Sequence, residues 1–264
     1  WGAWSLWALL IGVSTILAAM PWLPPFRRAP AAEIDLPNCN GCNRCVEDCP
    51  YEAIRLVPRT DDEPFPHQAE VDPDLCVSCG ICMGSCPSST PFRRQQDLKT
   101  GIDLPGQPLR EVRDEVVAAS AGLHGDHRVM VLACEHGAGG GDVGNGVVTF
   151  PCVAMVPPSV IDFILSKDLA DGVVVAGCSE STCYNRLGVE WTKQRFAGER
   201  DPYLRRRVPR ERLTTIWASP FETGRYEAEK AAFAAGLEPS TKRKPAGGPD
   251  EATPAEDKTM EAQP

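Results

Sequence analysis

The alternation of apolar and polar positions divides the chain into an uncharged first run, a cysteine-rich segment and a region of alternating strand and helix patterns. Residues 1–26 contain no charged side chain. A helix of about 20 such residues, at ~1.5 Å per residue, would cover the roughly 30 Å hydrocarbon core of a bilayer. We therefore predict one N-terminal transmembrane helix over residues 1–26. Tryptophans flank the apolar run, as in the aromatic belts of membrane proteins: Trp1, Trp4, Trp7 and Trp22.

Two arginines, Arg27 and Arg28, follow the apolar run directly. Under the positive-inside rule, they predict an inner-membrane location with the rest of the chain on the cytoplasmic side. A cleaved signal peptide would carry its basic residues before the apolar stretch, which disfavours that alternative. A buried helix of a soluble protein is the other alternative. Because the sequence begins with Trp and not Met, the run also suits the last helix of a larger membrane domain.

Residues 128–237 have the pattern of an α/β domain. Short apolar runs alternate there with helical patterns, which is typical of a parallel sheet with helices packed on its faces. The predicted elements follow one another as strand 128–133, strand 147–150, helix 156–169, strand 172–176, helix 184–197, strand 213–218 and helix 221–235.

The remaining segments connect or extend these regions. Residues 27–37 are predicted to be a linker. Residues 93–127 form a connector that contains a short amphipathic helix from Pro108 to Ala121. Residues 238–264 are rich in Pro, Gly, Lys, Glu and Thr. They offer almost no large apolar side chains to bury, so we predict a disordered tail.

Composition narrows the function. A net charge of −9 over 264 residues argues against nucleic acid as a partner, because phosphates select basic surfaces. Hydrophobic residues make up 42% of the chain, which is enough for a packed core. Cysteine is the outlier, with twelve residues, of which eight stand in two runs of identical spacing. Such bunching is typical of cofactor ligation and not of a disulfide scaffold.

Both runs read Cys-x2-Cys-x2-Cys-x3-Cys-Pro, one over 39–50 and one over 76–87. In two-cluster proteins the fourth cysteine of each run ligates the other cluster. A zinc site is the weaker alternative, because zinc favours two Cys-x2-Cys pairs separated by a longer loop. The predicted ligands are Cys39, Cys42, Cys45 and Cys86 for [4Fe–4S] cluster I, and Cys76, Cys79, Cys82 and Cys49 for [4Fe–4S] cluster II.

With these motifs, residues 36–92 clearly resemble the bacterial-type two-cluster ferredoxin family. Tyr51, directly after Cys49-Pro50, and Val71-Asp72-Pro73-Asp74 before Cys76 are also similar to that family. The resemblance implies an α+β ferredoxin-like dicluster module, which we assign to residues 38–92.

The other four cysteines, Cys134, Cys152, Cys178 and Cys183, follow or end predicted strands. The ends of parallel strands meet at one edge of a sheet, where ligands bind. Four thiolates there would suffice for one [2Fe–2S] cluster. Buried free cysteines, a zinc site and a redox dithiol are the alternatives.

The segment Ala170-Asp-Gly-Val-Val-Val-Ala-Gly-Cys178-x4-Cys183-Tyr184 resembles the delta subunit of methyl-viologen-reducing hydrogenase, an iron–sulfur subunit. Pro151-Cys152 and Pro209-Arg-Glu-Arg-Leu213 are also similar to it. The resemblance covers about residues 128–235 and implies a [2Fe–2S] cluster on the same four cysteines. Two positions depart from the family: Cys134 stands alone where a Cys-x2-Cys pair is usual, with Gly137 in the other place, and Ser-Glu-Ser-Thr replaces His-Pro-Gly-Asp.

Three smaller features have alternative interpretations. The glycine-rich segment 139–144 matches a dinucleotide-binding pattern but lacks a clear following helix, so we interpret it as a loop. The arginine-rich stretch 200–212 is either a solvated connection or a docking patch for an acidic partner. His136 is a candidate replacement ligand near Cys134.

These observations predict a membrane-tethered iron–sulfur electron-transfer subunit of a larger oxidoreductase complex. They favour such a subunit over a stand-alone enzyme. The expected partners are a soluble flavoprotein, heterodisulfide-reductase-like protein or dehydrogenase, and a cytochrome-b-like or quinone-reactive membrane subunit. The alternative is a thiol–disulfide enzyme of the heterodisulfide-reductase type that uses Cys178 and Cys183. No residue indicates the direction of electron flow.

Overall fold

The computed structural model describes residues 2–19, 29–59, 61, 64–89 and 100–238. The chain divides into two compact units, of which the first ends at Pro30 and the second begins at Ala31. The predicted tail from residue 239 onwards, with Trp22, Arg27 and Arg28, lies outside the described residues.

The first unit contains helix α1, Gly2–Ala19. With 18 residues it is about 27 Å long at ~1.5 Å per residue, short of the roughly 30 Å hydrocarbon core. Among the helices in the described ranges, none combines the length and the apolar character that a membrane crossing requires. The predicted transmembrane helix over residues 1–26 is therefore wrong, and so is the inner-membrane location inferred from it. The prediction counted the whole uncharged run as helix, whereas the helix in the described residues covers Gly2–Ala19.

The cysteine-rich segment forms two similar halves. Each half has a short helix, α2 (Arg44–Glu47) and α3 (Ile81–Ser85), and each helix begins after a residue of left-handed backbone conformation, Asn43 at φ 69° and Gly80 at φ 72°. These residues occupy equivalent positions, directly after the second cysteine of each run, so the sequence repeat is also a structural repeat. Two antiparallel pairs complete this ferredoxin-like module: β1 (Glu33–Ile34) with β4 (Ile102–Asp103), and β2 (Ile54–Pro58) with β3 (His67–Val71).

The second half contains the predicted parallel sheet. Its strands are β5 (Val129–Cys134), β6 (Val147–Phe150), β7 (Gly172–Gly177) and β8 (Leu213–Trp217), in the order β6-β5-β7-β8. The helices are α4 (Leu109–Ala121), α5 (Pro158–Ser166), α6 (Gly188–Ala197) and α7 (Thr223–Ala235). All seven predicted elements and the connector helix are present. Helix α6 starts four residues later than predicted because Arg186 adopts a left-handed conformation, at φ 59°.

The central strands are apolar on both faces, which explains their continuous hydrophobic runs. On β5, Met130 and Leu132 join the large core that α4, α5 and the ferredoxin-like module share. The alternate residues Val131 and Ala133 join a smaller core with Tyr226 of α7. The sheet is therefore covered on one face by the cysteine-rich module with two helices, and on the other by α7.

The ferredoxin-like module and the sheet domain belong to the same compact unit. Helix α3 packs on the 3₁₀ turn Val153–Met155, which follows Cys152. A Cβ atom on Gly84 would lie 2.2 Å from the carbonyl oxygen of Ala154, and one on Gly80 would lie 2.6 Å from Sδ of Met155. Glycine at both positions permits this close contact. Helix α3 therefore lies directly against the turn that follows β6 and Cys152.

Candidate iron–sulfur centres

Three groups of four cysteines lie in the second unit, and we refer to them as sites I, II and III. Site I lies at a small cavity. Burial, together with the neighbouring thiols, raises the pKa of Cys45 to about 12. The cavity is lined by three cysteines of the first run and the last cysteine of the second: Cys39, Cys42, Cys45 and Cys86.

Site II has the complementary set of cysteines at a second small cavity. Burial raises the pKa of Cys79 to about 11, with Cys49 and Cys76 near enough to contribute. Burial also raises the pKa of Cys82 well above its usual value. The cysteines that line this cavity are Cys49, Cys76, Cys79 and Cys82. The fold thus brings together the two crosswise sets predicted from the sequence.

The donor set at sites I and II fits an iron–sulfur cluster. Each cavity has apolar walls and four thiols, the ligands that such clusters use. Backbone N–H groups point at the sulfurs: Ala53 N donates to Cys49 Sγ at 3.2 Å, and in both repeats the N–H two residues on donates to the second cysteine, from Arg44 to Cys42 and from Ile81 to Cys79. Such donors stabilise thiolate and cluster charge.

Site III is at the carboxyl edge of the parallel sheet. Cys134 ends β5, Cys152 lies two residues beyond β6, and Cys178 directly follows β7. Cys183 comes after the 3₁₀ turn Glu180–Thr182. The Sγ atoms of Cys134 and Cys178 are 3.5 Å apart, and Cys178 is also hydrogen-bonded to Cys183. The predicted convergence of four cysteines at one sheet edge therefore occurs.

Three of the four thiols of site III, those of Cys152, Cys178 and Cys183, have raised pKa values. The hydrogen bond with Cys178, with burial, raises the pKa of Cys183. Burial raises the pKa of Cys152, and Cys79, Cys183 and Cys178 contribute to the increase. Metal binding would have to displace these protons, as it does at other thiolate sites.

Helix α6 begins against this site through a glycine. A Cβ atom on Gly188 would lie 2.5 Å from Sγ of Cys152 and 3.6 Å from Sγ of Cys183. Any larger residue would push one or both thiols away. The start of α6 therefore forms a cradle for two of the four sulfurs of site III, those of Cys152 and Cys183.

Sites II and III share a wall. Ile81, Cys152, Ala154 and Trp191 are buried together in one small apolar cluster, and Cys79 of site II packs against it. Tyr51 lies near both Cys79 and Cys152, and its hydroxyl donates a hydrogen bond to Asn185 Oδ1 at 3.0 Å. Sequence spacing placed the cysteines in groups but gave no indication of this adjacency.

A buried ion pair, which sequence reasoning missed, joins the two halves at the same place. Arg195 of α6 pairs with Asp48, the residue before Cys49. Its Nη1 donates to Ala154 O at 2.7 Å. Arg200 also pairs with Asp48, at 2.6 Å. The only feature of the sequence that indicates this ion pair is a charged residue, Arg195, which stands four positions after Trp191 on the buried side of α6.

The smaller sequence features have structural roles. The glycine-rich segment forms the 3₁₀ turn Ala138–Gly141 and leads into β6, so no helix opens there to bind a dinucleotide phosphate. His136 stacks on Tyr184 with ring centroids 3.6 Å apart. Within 200–212, several arginines bind their own chain: Arg200 to Asp48, Arg207 to Asp162, Arg210 to Phe196 O, and Arg212 to Ala170 O and Asp171 O.

Family comparisons agree with this architecture. Residues 38–90 match the 4Fe-4S dicluster domain. Residues 143–238 match the methyl-viologen-reducing hydrogenase delta subunit. Both domains are present, and the first supports iron–sulfur clusters. The second match begins after Cys134, so it covers three of the four cysteines of site III.

Several known proteins are similar to the cysteine-rich part. A subunit of the ion-translocating oxidoreductase complex of Methanosarcina acetivorans is 37% identical over 49 residues, which are 19% of this chain and 16% of that protein. "NADH-quinone oxidoreductase subunit I" of Pelobacter propionicus is 35% identical over 54 residues, 19% of this chain and 29% of that protein. "Ferredoxin-3" of a Nostoc species is 29% identical over 79 residues, 26% of this chain and 77% of that protein.

The match thus spans less than a third of the two complex subunits. The domains, the cysteine sites and these relatives define the class of the protein. The chain is an iron–sulfur electron-transfer protein, similar to subunits of oxidoreductase complexes. It combines a dicluster ferredoxin domain with a domain like the hydrogenase delta subunit.

Proposed function

We propose that this chain is the electron-relay subunit of a larger oxidoreductase complex and carries three clusters in one compact unit. Sites I and II would each hold a [4Fe–4S] cluster, on the crosswise cysteine sets given above. Site III would hold a [2Fe–2S] cluster on Cys134, Cys152, Cys178 and Cys183. Each bound cluster would supply a one-electron carrier.

The observation that carries this proposal is the shared wall between Cys79 and Cys152. A relay needs neighbouring carriers held at a constant separation with water excluded from between them. Here the wall is buried, and Gly84 allows α3 to lie in direct contact with the turn after Cys152. Site II therefore stands between the other two in the proposed path.

Cysteines at both ends of the proposed path reach the surface. Cys42 of site I is exposed and Cys183 of site III is partly exposed, as are Cys49, Cys76 and Cys79 of site II, whereas Cys45, Cys82 and Cys152 are buried. We propose that a flavoprotein or dehydrogenase subunit meets site III, and that a quinone-reactive or haem-bearing subunit meets site I. The relatives named as complex subunits support protein partners in general.

The test is the metal content of protein purified without oxygen. The proposal predicts about ten irons per chain, because each [4Fe–4S] cluster has four and a [2Fe–2S] cluster has two. Electron paramagnetic resonance (EPR) of the reduced protein should show a [2Fe–2S] spectrum that Cys152→Ser removes without loss of the [4Fe–4S] spectra. About eight irons, with no [2Fe–2S] spectrum, would exclude the third cluster.

The alternative, thiol–disulfide chemistry at Cys178 and Cys183, has one favourable observation: the two thiols are hydrogen-bonded and Cys183 is partly exposed. However, a reactive thiol needs a lowered pKa, and the pKa of Cys183 is raised. Serine substitution at either cysteine discriminates between the two functions. Loss of disulfide reductase activity with an intact [2Fe–2S] spectrum would support the enzyme.

A further inference from the structure

Arg195 occupies an unusual position for a cation, inside the shared wall between sites II and III. It is 1% exposed and lies on the same side of α6 as Gly188 and Trp191, seven and four positions away, as a helical face requires. Gly188 contacts Sγ of Cys152, and Trp191 is buried with Cys152. Arg195 is itself near enough to Cys152 to interact with it electrostatically.

The hydrogen bonds of Arg195 leave one donor over. Nη1 donates to Ala154 O and Nη2 to Asp48. Its Nε is the one buried side-chain nitrogen or oxygen in the described part of the chain that has no hydrogen-bond partner. A buried donor without a partner is costly, and in native proteins such a group is often found where it has a redox or catalytic role.

The charges around Arg195 do not cancel. Asp48 is shared between Arg195 and Arg200, so two cations face one anion. Arg200 is 25% exposed at its side chain and lies over the ring of Trp191, 4.3 Å from its centroid. Water screens Arg200 in part, whereas the buried Arg195 is screened much less.

We propose that Arg195 sets the reduction potential of the cluster at site III, through the buried positive charge that it holds in the shared wall with Cys152. This inference rests on the proposed function, since it requires a cluster on Cys152. When that cluster takes up one electron from a reductant such as dithionite, its charge falls by one and the guanidinium keeps its proton. The cation therefore stabilises the reduced form more than the oxidised form, and it raises the potential.

The test is a potentiometric EPR titration of the full-length, cluster-loaded chain. Arg195→Gln should lower the equilibrium constant for reduction of the [2Fe–2S] cluster on the order of tenfold, which corresponds to 59 mV for a one-electron couple. Arg195→Lys keeps the charge and should recover most of the difference. Arg207→Gln removes an equal charge from the exposed Arg207, which pairs with the buried Asp162 away from Cys152, and should leave the potential unchanged.

Asp48→Asn separates an electrostatic role from a structural one. Removal of the anion increases the local positive charge, so the potential should rise, opposite in sign to the effect of Arg195→Gln. If Arg195→Gln does not fold, Arg200→Gln reports in its place, with a smaller shift in the same direction as that expected for Arg195→Gln.

Unchanged potentials in the Arg195 and Asp48 variants, or shifts of the same sign in both, would overturn the inference. An absent [2Fe–2S] spectrum in the wild-type chain would instead contradict the proposed function. The two failures are therefore distinguishable in one set of samples.

Discussion

Gly84→Ala should loosen the contact on which the relay depends. The added Cβ would lie 2.2 Å from Ala154 O and 2.8 Å from Met155 O, and both are backbone atoms that cannot rotate away. Ordinary contact begins near 3.4 Å, so α3 must move away from the turn after Cys152 by more than an ångström. Overpacking of this kind costs about 1–3 kcal/mol. For a unit of this size each kcal/mol is about 2–4 °C in Tm, so a loss of about 2–12 °C is expected.

The matched control is Gly224→Ala. Nothing lies within 4 Å of a Cβ at Gly224, near the start of α7, and alanine favours a helix by about 0.5–1 kcal/mol relative to glycine. The melting temperatures of both variants should be compared at one scan rate, because cluster loss makes unfolding irreversible. Gly84→Ala should also weaken the magnetic interaction between clusters II and III. An unchanged Tm and an unchanged spectrum in Gly84→Ala would refute the account of this interface.

Three further predictions concern site III, the buried ion pair and the bound iron as a whole. In Gly188→Ala, the added Cβ would lie 2.5 Å from Sγ of Cys152. This variant should lose about two irons and keep both [4Fe–4S] spectra, and full retention of iron would contradict the role of the cradle at the start of α6. Asp48→Ala leaves Arg195 buried without its anion and should destabilise the chain by about 3–5 kcal/mol, which would be measured as a lower Tm. A loss of stability below about 1 kcal/mol, as is found at exposed ion pairs, would instead show that water reaches the pair. Removal of iron with a chelator should lower the Tm of the wild-type chain, because Cys39, Cys82 and Cys134 belong to its core and the binding energy at such sites contributes to the free energy of folding. An equal Tm for the iron-free chain would contradict a structural role of the bound iron.

Local patterns in the sequence predicted the sheet because its strands are continuous apolar runs. Residues 172–177 are buried throughout, and a short run of valines bounded by glycines has few other interpretations. The edge at which Cys134, Cys152 and Cys178 meet followed from parallel topology alone. The crosswise cysteine sets could be predicted from the spacing of the two cysteine runs. The same repeat is present in the backbone, where Asn43 and Gly80 both adopt a left-handed conformation.

Features that depend on long-range packing could not be predicted. Asp48 and Arg195 are 147 positions apart, and no periodicity links them. The close approach of Gly84 to Ala154 likewise depends on how two modules dock. The hydropathy pattern also led to the wrong prediction of a transmembrane helix. An uncharged run of 26 residues indicates only where a helix is permitted, whereas the described helix α1 covers 18 residues.

The most direct test of the relay is the EPR spectrum of the fully reduced protein, compared with that of protein in which only one cluster is reduced. The shared wall between Cys79 and Cys152 predicts that the [2Fe–2S] spectrum broadens or splits when cluster II becomes paramagnetic. In Cys79→Ser chains that lack cluster II, the spectrum should be narrow at every potential. A [2Fe–2S] spectrum with the same width in both reduction states would contradict adjacent sites, and with them the continuous path.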